Sequence, residues 1–126
     1  MRDDDVSEPS LRRRVLVVED DDALRSSVAR VLSRAGFEVT AAATGAAAVA
    51  VARGLLPDAA IIDVFLPDAG GLGVARALRE ACGPTPILFV TGLALAAVRE
   101  ALAPAPVLFK PFTRRQLLAS LRRIAA

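Results

Sequence analysis

Five short apolar runs divide this chain, and four of them stop abruptly at a polar residue. Val15-Leu16-Val17-Val18 ends at Glu19, Ala59-Ala60-Ile61-Ile62 at Asp63, Ile87-Leu88-Phe89-Val90 at Thr91, and Val107-Leu108-Phe109 at Lys110. Phe37 to Ala42 forms the remaining run. These runs lack the in-out alternation of a strand with one wet face, so they read as strands covered on both faces. Segments of helical spacing separate them. Leu24, Val28, Val31 and Leu32 make one stripe, closed by Gly36, and Thr44 opens a second helix through about Arg53, ended by Gly54 and Pro57. Leu72 to Ala81, a short stretch from about Ala94 to Leu102, and an amphipathic segment capped by Thr113 and reaching Ile124 complete the series. Strand and helix alternating five times predict an α/β fold, a doubly wound five-stranded parallel sheet with right-handed crossovers.

At 126 residues the chain is one domain's worth. Residues 1–12, with an Asp triplet and a proline, are expected to form a flexible arm ahead of a domain over residues 13–126. No stretch approaches the roughly 20 apolar residues of a membrane span, and the polar N-terminus lacks the apolar core of a signal peptide. The lone cysteine, Cys82, fits a reducing compartment. A soluble, cytoplasmic protein with no membrane association is therefore expected. A net charge of +2 is too small to argue for nucleic acid. The only basic run, Arg12-Arg13-Arg14, has no Tyr or Trp for base stacking and is expected to be a solvated flank of the first strand. The absence of histidine removes His-based acid–base chemistry, Ser-His-Asp triads and His-ligated metals together. Among sixteen basic residues only Lys110 is a lysine.

In an open parallel sheet, ligands bind beyond the carboxyl ends of the strands. The sequence places Glu19, Asp20, Asp63, Thr91 and Lys110 there. Each has a plainer reading. Acidic residues after the first strand can open the next helix, where the dipole favours negative charge, and Asp22 suits the N-cap. A threonine after a strand or a lysine before a proline means little alone. Their joint placement carries the inference. Clustered carboxylates repel and are stabilised by a divalent cation, and oxygen ligands alone suit Mg²⁺. Asp63 is then positioned as a nucleophile toward phosphorus, with Lys110 pairing a phosphoryl oxygen and Thr91 donating a hydrogen bond to another.

These residues fall in four motifs: Val-Leu-Val-Val-Glu-Asp-Asp (15–21), Ile-Ile-Asp-Val-Phe-Leu-Pro (61–67) with Gly70-Gly71-Leu72, Leu-Phe-Val-Thr-Gly (88–92) and Phe-Lys-Pro-Phe (109–112). Over about Val15 to Ile124 the sequence resembles the receiver domains of bacterial response regulators in two-component systems. The resemblance implies a flavodoxin-like strand order of 2-1-3-4-5 and a phosphoacceptor regulator rather than an enzyme acting on other substrates. It implies Asp63 as phosphoacceptor. Asp20, Asp63 and the backbone carbonyl of Phe65 are implied as direct Mg²⁺ ligands, with Glu19 acting through a metal-bound water. Thr91 and Lys110 are implied to hold the phosphoryl oxygens, Gly92 to leave the pocket mouth open, and Lys110–Pro111 to be cis. Phe65 and Leu93 fall where side chains flank the path of the hydrolytic water, and their bulk implies slow dephosphorylation. Implied partners are a histidine kinase or histidine phosphotransfer protein and a downstream protein reading the fourth helix, fifth strand and fifth helix. A homodimer is a further option.

Three departures stand out. Val107 occupies a switch position that is often aromatic in relatives. The short Ala103-Pro104-Ala105-Pro106 segment predicts a trimmed fourth helix. The chain ends after its fifth helix, so no output domain is expected, and Met1 favours a stand-alone regulator. Two other readings compete: a pseudo-receiver that keeps the fold without phosphorylation, and a flavodoxin-like nucleotide binder. The second needs a Gly-rich turn after the first strand, where Glu19-Asp20-Asp21-Asp22 would instead repel phosphate.

Overall fold

The computed structural model describes residues 12–125. The expected arm therefore lies, apart from Arg12, outside the described residues. Strands β1 (Arg14–Val18), β2 (Glu38–Ala42), β3 (Ala59–Asp63), β4 (Ile87–Thr91) and β5 (Val107–Phe109) alternate with helices α1 (Asp22–Arg34), α2 (Gly45–Leu55), α3 (Gly70–Cys82), α4 (Ala96–Leu102) and α5 (Arg114–Ala125). All pairings are parallel, in the order β2-β1-β3-β4-β5. The expected fold class and strand order are both found.

Successive strand residues point to opposite faces, so each apolar run feeds two cores. Leu16, Val18, Ala60, Ile62, Ile87, Phe89 and Val107 pack with Ala48 and Ala52 of α2, Val74 and Leu78 of α3, and Leu102 of α4. Val15, Val17, Ala59, Ile61, Leu88 and Val90 pack with Val28 and Leu32 of α1 and Leu117, Leu118 and Leu121 of α5. The continuous apolar character of the strands is the consequence of this double cover.

The helix ends correct the sequence reading in places. Asp21, rather than Asp22, is the N-cap of α1, its carboxylate accepting the Leu24 N–H at 3.0 Å. Asp22 instead pairs with Arg25 at 2.6 Å. The two positions compete because both are acidic and adjacent, and the cap must sit three residues before the N–H it receives. Thr44 caps α2 as expected, accepting from Ala47 N–H at 3.1 Å. That helix runs through Gly54 and stops at Leu56, which adopts the left-handed region at φ 51°. Thr113 caps α5 through its hydroxyl on Gln116 N–H, while Gln116 Oε1 accepts the Thr113 N–H, a reciprocal capping box. The fourth helix is indeed short at seven residues, has no side-chain cap, and buries only Leu102 fully, with Val98 partly covered. Its Arg99 lies 4.8 Å from the centre of the Phe109 ring.

Arg14 of the basic run is structural, reaching the Leu55 carbonyl at 3.0 Å and Glu38 at 3.6 Å, while Arg12 and Arg13 are exposed. Among the described residues no helix is long and apolar enough to cross a membrane.

Gly71 sets how closely α3 approaches the end of β3. Its N–H donates to Val64 O at 2.7 Å, and a Cβ added there would sit 2.5 Å from Asp63 O and 2.8 Å from Val64 Cα. Both obstacles are backbone and cannot swing aside. Gly71→Ala is expected to lower stability by about 1–3 kcal/mol, as overpacked sites do, read as a fall in urea midpoint at unchanged slope. An unchanged midpoint would show that α3 shifts freely.

Candidate functional site

Sheet register builds the site. Val18 lies beside Ile62, Asp63 beside Val90, and Thr91 beside Phe109, so Glu19 emerges level with Asp63 at the end of β3, and Lys110 emerges one step past Thr91 at the end of β4. Two backbone bonds continue the ladder beyond the strands: Glu19 N–H to Ala42 O at 3.1 Å, and Lys110 N–H to Thr91 O at 2.8 Å. Glu19, Asp63 and Thr91 are thereby held almost wholly out of solvent, while Asp20 stays exposed.

The Lys110 ammonium bridges the two buried acids, 3.0 Å from Glu19 Oε1 and 3.3 Å from Asp63 Oδ2. Carboxylate oxygens of Glu19, Asp20 and Asp63 lie within 4.8 Å of one another, a spacing that could hold a cation. Asp63 Oδ1 accepts the Phe65 N–H at 3.1 Å, and the other Glu19 oxygen accepts the Asp21 N–H at 3.2 Å. Thr91 Oγ1 accepts the Leu93 N–H at 3.1 Å. Phe65, Gly92 and Leu93 are exposed at the mouth, whereas Val107 is buried behind the sheet end beside Phe89 and Leu102. The Lys110–Pro111 bond is cis. A cleft of about 630 Å³ opens beside Lys110 between α1 and the start of α5, lined by Asp21, Ala23, Leu24, Pro111 and Phe112.

Burial, the largest influence, together with the Asp63 carboxylate pushes Glu19 up to about 7, against the opposing pull of Lys110 and the Asp21 N–H. For Lys110, burial alone would lower the ammonium. Hydrogen bonds and charge from Glu19 and Asp63 outweigh it and hold the group above its ordinary value.

All the residues singled out from sequence, except buried Val107, meet at this end of the sheet. Two contributors were missed. Arg25 donates to the Glu19 backbone carbonyl at 2.9 Å and to Asp22 at 2.6 Å, tying α1 to the acidic loop. Asp68 accepts the N–H groups of Gly45 and Ala46, each at 3.1 Å, tying the loop after β3 to α2. The i,i+3 spacing of Asp22 and Arg25 was a legible signal. Asp68 gave none, because its partners are more than twenty residues away.

The response regulator receiver domain family matches residues 15–122. Over 112 residues the chain is 39% identical to the response regulator MprA of Mycobacterium sp. (strain KMS), covering 86% of this chain and 49% of that protein. An 81-residue stretch is 49% identical to a protein-glutamate methylesterase/protein-glutamine glutaminase of Anaeromyxobacter dehalogenans, covering 62% of this chain and 23% of that one. The chain thus spans about half the length of these curated relatives, or less. Among solved structures, chemotaxis protein CheY4 of Vibrio cholerae is 33% identical with a TM-score of 0.82, covering 90% of this chain and 98% of its own. The receiver domain of sensor histidine kinase PA1611 from Pseudomonas aeruginosa, with a magnesium ion coordinated in its active site cleft, is 32% identical with a TM-score of 0.80, again covering 90% and 98%. Fold, site and matches agree. The chain belongs to the response regulator receiver domain family of two-component signalling proteins.

The raised Glu19 value fixes the sign of a pH effect. Between its ordinary 4.5 and about 7, the folded chain keeps a proton that the unfolded chain releases. The stability this group contributes is full below about 4.5 and lost as pH climbs through 7. In metal-free buffer, Glu19→Gln, which cannot ionise, should therefore gain stability relative to the parent as pH rises from 5 to 8. Denaturant titrations at both pH values read the gap; one that is constant or shrinks with pH would refute the assignment.

Proposed function

We propose that this chain is a phosphoacceptor, taking a phosphoryl group onto Asp63 from a histidine kinase or histidine phosphotransfer protein in a Mg²⁺-dependent step. The supporting observation is the Lys110 ammonium held between buried Glu19 and Asp63 beside Asp20. Asp20, Asp63 and the Phe65 carbonyl are the proposed direct ligands of Mg²⁺, with Glu19 acting through water. The all-oxygen donor set and its excess of negative charge fit that ion. Bound there, the ion neutralises charge on the acids and on the incoming phosphoryl group.

The chain's own residues do the rest. Asp63 Oδ2 attacks phosphorus, the bond from phosphorus to the donor's nitrogen breaks, and an acyl phosphate forms on Asp63. Lys110 follows the new group and pairs one of its oxygens, leaving Glu19 for the cation. Thr91, whose oxygen already accepts from Leu93, keeps its hydroxyl proton for another phosphoryl oxygen. Gly92 adds no side chain to obstruct the mouth. The cleft between α1 and the start of α5 gives a donor access beside Lys110. This is positioning and charge neutralisation, which is most of what phosphoryl transfer requires. Such a regulator promotes its own phosphorylation and slow dephosphorylation in the cytoplasm, and turns over no other substrate.

The signal is proposed to leave through α4, β5 and α5. Val107 has one χ angle and too little volume to report the movement of Thr91 by rotating. The change then passes through backbone shifts between Thr91 and Pro106, or through a partner that reads Leu93, Arg114 and their neighbours directly, so activation is modest. The domain limits are proposed as 13–126.

Incubation with acetyl phosphate and Mg²⁺ should add one phosphoryl mass to the parent, and nothing to Asp63→Asn. Intact-mass spectrometry reads both. A fully labelled Asp63→Asn would remove the assignment, and an unlabelled parent would leave an interaction module that keeps the fold without phosphorylation.

The lifetime of the acyl phosphate gives a second check. Phe65 and Leu93 are bulky, exposed and unable to orient water. Phe65→Asn combined with Leu93→Gln should shorten the lifetime by about 10-fold or more, the size of a modest general-base or positioning contribution. An unchanged or longer lifetime would show that these side chains do not flank the water's path.

A further inference from the structure

Asp68 reaches away from the pocket and is exposed, yet both its oxygens are used. Oδ1 accepts Gly45 N–H and Oδ2 accepts Ala46 N–H, so the carboxylate straddles the first turn of α2. Thr44 serves the next amide, Ala47, from within the helix's own sequence. Gly45 makes the approach feasible: a Cβ there would lie 2.5 Å from Val74 Cγ2 of α3 and 3.4 Å from both Asp68 oxygens. The bonds from Gly45, then Ala46, hold the Asp68 carboxyl below its ordinary range.

The loop fastened this way connects β3 to α3 and contains Phe65. Its near end is fixed by Val64 N–H on Val90 O at 2.9 Å, by Gly71 N–H on Val64 O, and by Phe65 N–H on Asp63 Oδ1. The Phe65 side chain is exposed and packs nothing in place. Its carbonyl is therefore oriented by what holds the backbone on either side: the Asp63 bond before it, and buried Leu66 and the Asp68 clasp after it.

We propose that Asp68 is a positioning residue which, by clasping the N-terminus of α2, holds the loop after β3 so that the Phe65 carbonyl faces a cation beside Asp63. This rests on the phosphoacceptor reading, since it takes that carbonyl as a ligand. A clasp that favours the bound cation is favoured by it in return, because coupling between two sites is reciprocal. An ordinary helix cap has no such coupling.

The experiment is a Mg²⁺ titration by calorimetry on the parent, Asp68→Ala, Asp68→Asn and Thr44→Ala, with amide exchange of Gly45 and Ala46 followed by NMR with and without Mg²⁺. Asp68→Ala should bind Mg²⁺ about 10-fold more weakly, at the low end for an outer-shell change. Asp68→Asn keeps one acceptor oxygen and should fall between it and the parent. Thr44→Ala loosens the same helix without touching the loop and should bind like the parent. In the parent, which carries no folding risk, Mg²⁺ should slow exchange at Gly45 and Ala46 by a similar factor. Parent-like affinity in Asp68→Ala, exchange indifferent to Mg²⁺, or equal losses in Thr44→Ala would each overturn the clasp while leaving a labelled parent, and hence the phosphoacceptor reading, intact. A parent that neither binds Mg²⁺ nor takes up phosphate would overturn both.

Discussion

One ammonium shared between two buried carboxylates organises this end of the molecule. Lys110 leaves β5 two register steps beyond Asp63, and its long side chain reaches back to Glu19 and Asp63, while ladder bonds one residue past β1 and β5 hold the backbone at Glu19 and Lys110. Three carboxylates cluster there, and two of them share that ammonium. The balance of effects at Glu19 shows the shortfall: even with an ammonium 3.0 Å away, burial and Asp63 win, and the group rises to about 7. A buried ion pair is weak evidence of stability, since removing the charges from water offsets much of their attraction. The arrangement makes more sense as a receptacle lacking positive charge than as a brace.

The rest of the fold is built to keep that receptacle fixed. Both faces of the sheet are covered by helices, so the strand ends cannot splay without exposing Ile62, Phe89 or Val90. Arg25 and Asp68 then fasten the two loops that leave the acidic strand ends, each to a helix. The side chains at the centre are few, and their geometry is set by backbone around them.

Much of this was legible in the sequence for a physical reason. Parallel strands with two dry faces must be apolar throughout, so a polar residue marks where a strand leaves the core. Glu19, Asp63, Thr91 and Lys110 were visible on that ground. Helix ends were less legible. Asp21 and Asp22 are chemically equivalent as caps, and only backbone geometry chooses between them. Gly54 looked like a helix stop, yet the chain turned two residues later at Leu56, which takes the left-handed conformation with its N–H on Ala52 O and its side chain exposed. Asp68 lay beyond reach because its role is defined by amides on another helix.

The fourth helix has a consequence of a different kind. Seven residues long, uncapped by any side chain, and anchored by Leu102, Val98 and the stacking of Arg99 on Phe109, it has little to lose by coming apart. Segments with so few buried contacts open locally at a small fraction of the global unfolding free energy. The edge of the sheet beside β5 is therefore covered by a segment with appreciable conformational entropy. A macromolecule gripping that edge must quench this entropy, and loses affinity in proportion. Anything that stiffens the helix beforehand, wherever it acts, would strengthen such a grip without adding a contact.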